Sequence, residues 1–442
     1  MVDIKFIREN PDVLKENLKK RGKSTKIVDD ILALDKRRRD MIIKVDKLRH
    51  KKNEITKKIA EAKNKGEDFS KFLNEMKSVP DEIKKLEDEI DNLENKIKDI
   101  FYNLPNVLDE SVPVGKSDED NVPIKFFGRA LVKEKDVKTF LEQSRGLMKY
   151  DVANFDIKDH IDIGLKYDLF DIERAAKVSG ARFYYLKNEL VILEQSLIRF
   201  ALDFLKEKKF TLIEPPFMIR RKPYEGVTSL KDFEDVLYKI EGEDLYMIAT
   251  AEHPLAAYYM NEIIDEDKLP IRFAGISPCF RKEAGSHGKD TKGIFRVHQF
   301  NKVEQFVFCK EEDSKKEHEK LLKNAEEIFQ ILGIPYRVVN VCTGDIGTVA
   351  SKKYDLEAWL PGQGKFREMV SCSNCTDYQS RRLNIKYRKA PGQPSKYVYT
   401  LNSTSIAMTR MMIAILENYQ QPDGKIKIPD ALIKYTGFKT IG

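Results

Sequence analysis

The sequence predicts an α+β protein in which an N-terminal antiparallel helical hairpin precedes a larger domain built on an antiparallel β-sheet flanked by helices. Two observations lead to this fold class. Residues 27–104 carry heptad runs of aliphatic side chains around one glycine turn, and the second half of the chain mixes helix-like and strand-like segments without a βαβ rhythm or a dinucleotide fingerprint. We therefore expect an N-terminal domain at residues 1–108, a linker at 109–125 and a larger domain at 126–442.

Composition limits the class of protein. The 442 residues are 34% charged and 41% hydrophobic, which is enough apolar content for a substantial core. A formal net charge of +7 neither requires nor excludes nucleic acid. The N-terminus has no apolar run of signal-peptide type, and the most apolar helical run, MMIAIL at residues 411–416, is too short to cross a bilayer. Five cysteines suit a reducing compartment, so we expect a soluble, cytoplasmic protein with no membrane partner.

The hairpin is predicted from two runs of apolar residues spaced alternately four and three apart, at residues 27–62 and 72–104. The register breaks at Gly66, which indicates two antiparallel helices that form a coiled-coil arm. Pro80 is expected to kink or restart the second helix, with Ser78 as its cap. At about 1.5 Å per residue, helices of about 38 residues would reach about 57 Å, so the arm should project.

The two predicted arm helices differ in charge. Residues 26–65 carry 14 Lys or Arg against 7 Asp or Glu, whereas residues 67–104 carry 6 against 11. One explanation is a hairpin held by ion pairs between its helices, which needs no partner. The other is a basic helix that meets a nucleic-acid backbone. The candidate contacts are then two basic clusters on the first helix: Lys36, Arg37, Arg38, Arg39, Arg49, Lys51 and Lys52.

A predicted strand hairpin in the second half groups charged and aromatic side chains. Read as a strand, residues 278–284 place Arg281 and Glu283 on one face. The returning strand 297–308 places Phe300, Lys302 and Glu304 on one face, together with His298 and Phe306. An arginine can clamp a carboxylate or phosphate, and an aromatic ring can hold a flat base. The alternative is a salt-bridged hairpin on an ordinary sheet.

The turn between these strands is rich in glycine and lysine, but it is not a Walker-type phosphate loop. Gly285 and Gly288 are only three residues apart, and Lys289 is followed by aspartate instead of Ser or Thr.

Three further stretches favour a binding site. The triplet TAE places the hydroxyl of Thr250 near the carboxylate of Glu252. The stretch FREMVSCSNCTD supplies Glu368 and Ser371, hard oxygen ligands suited to a magnesium–phosphate complex. The stretch LNSTSIAMTR is polar and then helical, and it carries Arg410 into a helix that otherwise looks buried.

Long motifs in the right order show which family the chain resembles. The opening DIKFIRENPDVLKENLKKRG, the arm, TAEHPL, FRKEAGSHGKDTKGIFRVHQFNKVE, FREMVSCSNCTDYQSRR and LNSTSIAMTRMMIAILENYQQPDGKIKIP together resemble the seryl-tRNA synthetases, a family of class II aminoacyl-tRNA synthetases. The fourth and the last of these resemble the second and third motifs of the class, the third in its archaeal or eukaryotic form. EPPFM resembles the first motif, in which Pro216 would lie at a dimer interface.

The resemblance implies an ATP site. Arg281 would hold the α-phosphate, Glu283 would accept a hydrogen bond from the adenine amino group, and Phe300 would stack on the adenine. Glu368 and Ser371 would position magnesium and ATP, and their spacing of three requires a bend or bulge in the strand. The remaining members of the implied ATP site are Lys282, Val297, Met369, Val370 and, at the far phosphates, Arg410.

The resemblance also implies a serine site. Thr250 and Glu252 would hold the ammonium group, Arg281 the carboxylate, and Glu304 and Thr404 the hydroxyl. Ala251 is the remaining member of the implied serine site. A buried carboxylate that faces an apolar side chain is left unpaired, so alanine should be rejected more strongly than its size alone permits.

The implied activity is the activation of L-serine with ATP and Mg²⁺, followed by transfer of serine to the 3′ end of tRNA(Ser), and of tRNA(Sec) where the organism has one. The implied assembly is a homodimer. The turn at residues 285–295 would be a loop that moves over ATP and then meets the acceptor end of the tRNA. Its basic side chains would favour contact with the tRNA polyanion: Lys282, Lys289, Lys292 and Arg296. Its glycines, Gly285, Gly288 and Gly293, would leave the loop free to change shape.

Two alternatives remain. A paralogue that loads a small amino acid onto a carrier protein is disfavoured by the arm, which the known relatives of that kind lack. A non-catalytic nucleic-acid-binding homologue is disfavoured by the five charged residues of the implied site: Arg281, Glu283, Glu304, Glu368 and Arg410. The CSNC stretch at Cys372 and Cys375 looks like half a zinc site, but no second such pair exists in the chain, so no zinc is expected.

Overall fold

The computed structural model describes residues 3–228, 236–283 and 293–442. The chain divides into two compact units, a smaller one that ends at Val107 and a larger one that begins at Leu108.

The smaller unit is helical throughout its regular structure. Its helices are α1 (Ile4–Glu9), α2 (Pro11–Lys20), α3 (Lys26–Lys65), α4 (Ser70–Lys77) and α5 (Val79–Asn103). Helix α3 packs against α4 and α5, which confirms the predicted antiparallel hairpin. Gly66 ends α3 in the left-handed region, with φ of 74°, which glycine adopts at little cost. The predicted restart near Pro80 is confirmed at Val79, and Ser78 occupies the N-cap position of α5, although its side chain makes no capping hydrogen bond.

Apolar side chains at the predicted register hold the hairpin together. Ile31, Val45, Ile55 and Ala62 of α3 are all buried. Ile31 belongs to the cluster formed with α1, α2 and the end of α5, and Val45 packs on the start of α5.

Ion pairs join α3 to α5 within the hairpin. Arg37 contacts Glu89 at 3.4 Å, Arg38 contacts Glu94 at 2.8 Å, and Arg49 contacts Glu87 at 2.7 Å. Arg39 lies 3.0 Å from the buried carboxylate of Asp35. Ion pairs between the two helices are therefore present at three of the predicted nucleic-acid contacts, as the first explanation expects, and the contact of these residues with nucleic acid stays a prediction. Within the described part of the chain, the exposed side chains without an ion pair among these candidates are Lys36, Lys51 and Lys52.

The larger unit mixes both kinds of element. Its helices are α6 (Val137–Gln143), α7 (His160–Lys166), α8 (Ile172–Ser179), α9 (Asn188–Glu207), α10 (Arg221–Val227), α11 (Glu252–Ala256), α12 (Ser314–Ile331), α13 (Tyr378–Leu383), α14 (Met408–Asn418) and α15 (Asp430–Thr436). Helices α9, α12 and α14 correspond to the helix-like segments predicted at residues 189–208, 313–332 and 405–419. The third begins later than expected because the polar stretch before it is a strand.

The strands of the larger unit are β1 (Val122–Phe127), β2 (Arg129–Val132), β3 (Lys149–Val152), β4 (Phe170–Asp171), β5 (Tyr185–Leu186), β6 (Thr211–Ile213), β7 (Met218–Ile219), β8 (Tyr246–Met247), β9 (Ile263–Asp265), β10 (Ile271–Phe280), β11 (Gln299–Cys309), β12 (Tyr336–Asn340), β13 (Lys352–Leu360), β14 (Lys365–Asn374), β15 (Lys386–Arg388), β16 (Lys396–Tyr397), β17 (Tyr399–Ala407), β18 (Ile426–Lys427) and β19 (Thr440–Ile441). Strand β1 begins inside the predicted linker at 109–125, and Gly115 of that segment is hydrogen-bonded to Thr343 of the larger unit.

One large sheet carries the architecture. Among the described residues its order is β1-β12-β13-β14-β17-β11-β10-β6, and every neighbouring pair is antiparallel except β10 with β6. This confirms the predicted α+β domain on an antiparallel sheet. Alternate residues of β11 face opposite ways. Val303 and Val307 pack in the core with α9, α12 and α14, whereas Lys302 and Glu304 face the cavity described below.

The ends of the β10–β11 hairpin differ from the prediction. Strand β10 stops at Phe280, so Arg281 and Glu283 lie beyond it and not within a strand at 278–284. Glu283 has φ of 47°, a left-handed conformation that strand pairing does not permit. The loop residues Gly285, Gly288, Lys289 and Lys292, to which a role was assigned from sequence, lie outside the described residues. No helix in the described ranges is both long and apolar enough to span a membrane.

Burial in α3 gives a matched test of the hairpin. Ile31 is 0% exposed, whereas Ile43 in the same helix is 53% exposed. We expect Ile31→Ala to lower the free energy of opening of α3 by about 2–5 kcal/mol and Ile43→Ala by less than about 1 kcal/mol. Hydrogen exchange of the α3 amides measures both. Equal effects of the two substitutions would contradict the packing described here.

Candidate active site

A cavity of about 400 Å³ opens over the middle of the large sheet. Its walls come from β11, β14 and β17, from the start of α11, and from the two segments that follow β10 and precede β11. Polar and charged side chains line both of its ends, so the cavity suits a ligand with several charged groups.

One end of the cavity is built around a buried ion pair. Lys302 Nζ lies 2.5 Å from Glu304 Oε2, and their side chains are only 7% and 2% exposed. Thr404 Oγ1 donates to the same oxygen at 3.5 Å. A bulge at Ser405 of β17 leaves that residue with no opposing residue in β11 and sets Thr404 directly opposite Glu304. A hydroxyl and a carboxylate thereby meet at one point of the cavity wall.

A second carboxylate faces the same end. Glu252, at the start of α11, accepts a hydrogen bond from Gln379 Nε2 at 2.9 Å, and its own backbone N–H donates to Thr250 Oγ1 at 3.2 Å. Burial, and then the charge of Glu304, raise the pKa of Glu252 to about 7, although Lys302 acts in the opposite direction. This carboxyl is therefore poised to ionise when a cation arrives.

His253 closes this end of the cavity. Its Nδ1 lies 2.7 Å from the hydroxyl of Tyr224, and burial lowers the pKa of His253 to about 3. The ring stays neutral at physiological pH, which fits a wall residue better than a proton-transfer group.

Arg281 lies between the two ends. Its Nε donates to Ala249 O at 3.2 Å, and its guanidinium carbon lies 5.3 Å from the centre of the Phe300 ring. Glu283 Oε2 is 3.5 Å from a guanidinium nitrogen of Arg296. A cation, an aromatic face and a carboxylate are thus grouped as the sequence predicted, although Arg281 and Glu283 reach the cavity from a loop.

The other end of the cavity pairs Arg410 with β14. Arg410 donates to Glu368 O at 2.7 Å and lies 3.7 Å from Glu368 Oε1. Partial loss of surrounding water opposes ionisation of Glu368, whose side chain is still 46% exposed, but the charges of Arg410 and then Lys353 hold its pKa below the usual value. The predicted irregularity of this strand is confirmed, because Met369 is bulged out of its pairing with β13. Glu368 and Ser371 therefore both face the cavity despite their odd spacing.

An aromatic ring completes this end. The ring of Phe295 has the guanidinium carbon of Arg367 at 3.7 Å and that of Arg410 at 4.9 Å from its centre. The segment before β11 is thus joined to α14 through a side-chain contact.

Comparison with known proteins decides the family. Residues 1–108 match the family model of the seryl-tRNA synthetase N-terminal domain, and residues 236–419 match that of the class II tRNA synthetase core domain (G, H, P, S and T). The serine–tRNA ligase of Thermococcus kodakarensis is 58% identical over 443 aligned residues, which cover 100% of this chain and 97% of the relative. That of Thermococcus sibiricus is 56% identical with the same coverage. The chain belongs to the seryl-tRNA synthetase family.

Solved structures agree with this assignment. The seryl-tRNA synthetase from Pyrococcus horikoshii complexed with ATP superposes with a TM-score of 0.97 at 55% identity, covering 100% of this chain and 99% of the other. The cytoplasmic serine–tRNA ligase from Naegleria fowleri in complex with AMP gives 0.89 at 34% identity, covering 100% and 98%. Giardia lamblia prolyl-tRNA synthetase, at 0.54 and 16% identity over 63% of this chain, shares the fold alone.

Most residues predicted for the synthetase site line the cavity. They are Thr250, Glu252, Arg281, Glu283, Val297, Phe300, Glu304, Glu368, Met369, Ser371, Thr404 and Arg410. Three others do not. Ala251 and Val370 are buried in the core, and the ammonium of Lys282 lies 5.9 Å from the centre of the Tyr238 ring. Pro216, predicted at a dimer interface, is exposed between β6 and β7.

Among the cavity residues to which the sequence prediction gave no role, Lys302 and Phe295 make the contacts described above. Strand alternation already placed Lys302 on the face of Phe300 and Glu304, but its pairing with Glu304 was not foreseen. The contacts of Phe295 could not be foreseen, since its two arginine partners lie more than seventy positions away in the sequence.

The cysteine pair is part of the fold. Cys372 and Cys375 are both buried, and burial raises the pKa of each thiol well above its usual range. Cys372 Sγ lies 3.8 Å from the carbonyl of His318, and Cys375 accepts from Asn402 at 3.6 Å. Protonated thiols in these surroundings are weak metal ligands.

The raised pKa of Glu252 has a measurable consequence for stability. Its folded-state pKa, about 7, lies above its ordinary value of 4.5, so its favourable contribution is complete below about pH 4.5 and is lost as the pH rises through 7. We expect Glu252→Gln to become progressively more stable than the ligand-free wild type between pH 5 and pH 8. Urea unfolding followed by Trp359 fluorescence measures this difference.

The exposed Glu262 supplies the control for that experiment. Glu262→Gln removes a carboxyl that is exposed to solvent, and its effect on the free energy of unfolding should be small throughout the same interval. If the difference in the free energy of unfolding between Glu252→Gln and the wild type stays constant from pH 5 to pH 8, the pKa of Glu252 is not raised by folding.

Proposed function

We propose that this protein is a serine–tRNA ligase that activates L-serine with ATP to seryl-adenylate and then transfers the seryl group to the 3′ end of tRNA(Ser). The observation that carries the proposal is the division of one cavity into two chemically different ends. Paired Glu304 and Thr404 suit a small hydroxylated amino acid, and Arg410 with Glu368 suits a magnesium-bound polyphosphate. The alternatives of carrier-protein loading and of a non-catalytic homologue are left as outcomes of the test below.

Serine binding follows from the charges at the first end. The ammonium group would meet Glu252 and Thr250, and its arrival would favour ionisation of the Glu252 carboxyl. The serine hydroxyl would lie between Glu304 and Thr404. The carboxylate would point to Arg281, which lies between the two ends of the cavity.

Activation is a displacement at phosphorus. A serine carboxylate oxygen forms a bond to the α-phosphorus as the bond to the leaving pyrophosphate breaks. Arg281 would stabilise charge on the α-phosphate, Phe300 and Glu283 would hold the adenine, and Arg410 would bind the far phosphates. The adenylate is then attacked by a terminal ribose hydroxyl of the tRNA, which releases AMP.

Glu368 and Ser371 are suited to Mg²⁺, since both present hard oxygen donors to the cavity and Glu368 favours its ionised form. Among the described residues, no group of three or more His, Cys, Asp or Glu side chains could hold a metal ion. Phosphate oxygens would therefore have to supply further ligands. A bound Mg²⁺ would neutralise charge on the phosphates as pyrophosphate leaves.

We assign tRNA recognition to the arm, residues 27–104, which would read the shape and backbone of a long tRNA stem. We also propose a homodimer, supported by exposed apolar side chains near Pro216, with Leu212 at 40% and Met218 at 44% exposure. tRNA(Sec) would be an additional substrate where it occurs. A cytoplasmic location accords with these partners.

The decisive experiment is ATP–pyrophosphate exchange with each of the twenty amino acids, on the intact chain and on a chain without residues 27–104. Exchange with serine alone in both, and loss of tRNA charging in the shortened chain, are expected. Exchange with glycine or alanine instead would favour the carrier-loading paralogue. No exchange with any amino acid would indicate a binding protein on a synthetase fold.

Glu304 is expected to determine serine specificity. Glu304→Gln removes the charge that holds Lys302 and Thr404, so kcat/KM for serine in the exchange reaction should fall by about 10²-fold, with alanine activation changed by less than about threefold. The KM for ATP should stay near its wild-type value. Glu262→Gln is the control, and an unaltered ratio of serine to alanine activation would refute the assignment.

The unpaired lysines of α3 give a test of the arm. Lys51→Ala with Lys52→Ala should weaken tRNA binding and reduce its salt dependence, because phosphate contacts release counterions. Serine-dependent exchange without tRNA should not change. The matched control is Lys84→Ala with Lys85→Ala on α5, where the charges are exposed on the acidic helix. Equal losses of tRNA affinity in both double variants would contradict the proposal that tRNA binds to α3 rather than to α5.

A further inference from the structure

A buried histidine outside the predicted site lies against the segment that carries Phe295. His160, the first residue of α7, is 4% exposed, and its Nδ1 lies 3.0 Å from Glu417 Oε1. Its backbone N–H donates to the same oxygen at 3.2 Å, and Gly362 N–H donates to Glu417 Oε2 at 2.9 Å. The Glu417 carboxylate therefore fixes both the position and the rotation of the imidazole ring.

The other ring nitrogen faces Gly293. Among the described residues, His160 Nε2 is buried and has no hydrogen-bond partner, which is uncommon for a polar atom in a protein interior. A β-carbon at Gly293 would lie 2.2 Å from this nitrogen and 3.0 Å from the side chain of Ile161. The edge of the ring thus sets how closely the backbone at Gly293 can approach α7.

Gly293 is the first residue of a segment, residues 293–297, that lines part of the cavity and leads into β11. The next residues, Ile294 and Phe295, are 0% and 5% exposed, and Phe295, Arg296 and Val297 all line the cavity. Gly293 has φ of 73°, a left-handed backbone conformation that residues other than glycine rarely adopt. The direction of the chain after Gly293 therefore depends on the contacts made at this residue. A shift at Gly293 would therefore be passed on to Phe295.

Helix α14 holds this segment at two points. Arg410 contacts the ring of Phe295, and Glu417, about two turns later on the same face of the helix, holds His160 against Gly293. We propose that His160, oriented by Glu417, is a positioning residue that sets the segment 293–297 for ATP binding. The inference rests on the proposed function only in that ATP is the ligand.

The central test introduces the missing β-carbon. Gly293→Ala should push the segment away from His160 and raise the Kd for ATP, measured by isothermal titration calorimetry, by about tenfold, since small displacements of positioning groups are costly. The Kd for serine should change by less than about twofold. Gly437→Ala is the matched control, because Gly437 has φ of 76° and open space around its α-carbon.

A second substitution distinguishes the effect of backbone strain at Gly293 from the effect of its contact with the His160 ring. His160→Asn keeps an amide N–H near the position of Nδ1 for Glu417 but removes the ring edge at Gly293. In that background, Gly293→Ala should raise the Kd for ATP by no more than about twofold, so the two changes couple strongly in a double-mutant cycle.

Three results would overturn the inference: the same loss of ATP affinity for Gly293→Ala with and without His160→Asn, equal effects of Gly293→Ala and Gly437→Ala, or parallel losses of serine and ATP affinity. If Gly293→Ala does not fold, the pair of wild type and His160→Asn decides, with a Kd for ATP raised about threefold at unchanged serine affinity as the expected result. Because ATP binding is measured directly, failure of serine-dependent exchange in the wild type would refute the proposed function without affecting this result.

Discussion

The buried ion pair between Lys302 and Glu304 is the interaction on which the amino-acid end of the cavity depends. A charge held away from water is tolerated only when a partner compensates it, and here one lysine compensates Glu304 directly while also lowering the pKa of Glu252. Without that cation, two carboxylates would face each other in a closed space. Burial and the charge of Glu304 outweigh this cation and leave Glu252 only partly ionised near neutral pH, so the site is ready to exchange a proton for the ammonium group of a ligand.

Two β-bulges decide which side chains reach the cavity. Strand geometry sends residues of odd spacing to opposite faces, and Glu368 and Ser371 would be separated without the extra residue at Met369. The bulge at Ser405 sets Thr404 opposite Glu304 in the same way. Both irregularities lie in the middle of the sheet, where the flanking strands and the helical core hold them. The sheet thereby supplies a rigid frame, and the loop residues Arg281 and Glu283 complete it.

Much of this arrangement could be predicted from sequence because it follows local rules. Period-two alternation gave the shared face of Phe300 and Glu304, and the odd spacing of Glu368 and Ser371 required a bulge that the structure contains. Other features depend on segments that are distant in sequence. The contact of Phe295 with Arg410 and of His160 with Gly293 arises only when α7, α14 and the β11 segment pack together. Strand ends were also misjudged, since nothing local shows that Arg281 has left the sheet.

The most direct test of the account is a crystal structure of the protein with a non-hydrolysable sulfamoyl analogue of seryl-adenylate. The quantity to measure is the distance from the seryl hydroxyl to the carboxylate of Glu304. We expect it to be below about 3.2 Å, with the amino group beside Glu252 and the adenine against Phe300. A seryl group directed towards Glu368 and Arg410, or a hydroxyl that points to solvent, would contradict the division of the cavity into an amino-acid end and a nucleotide end.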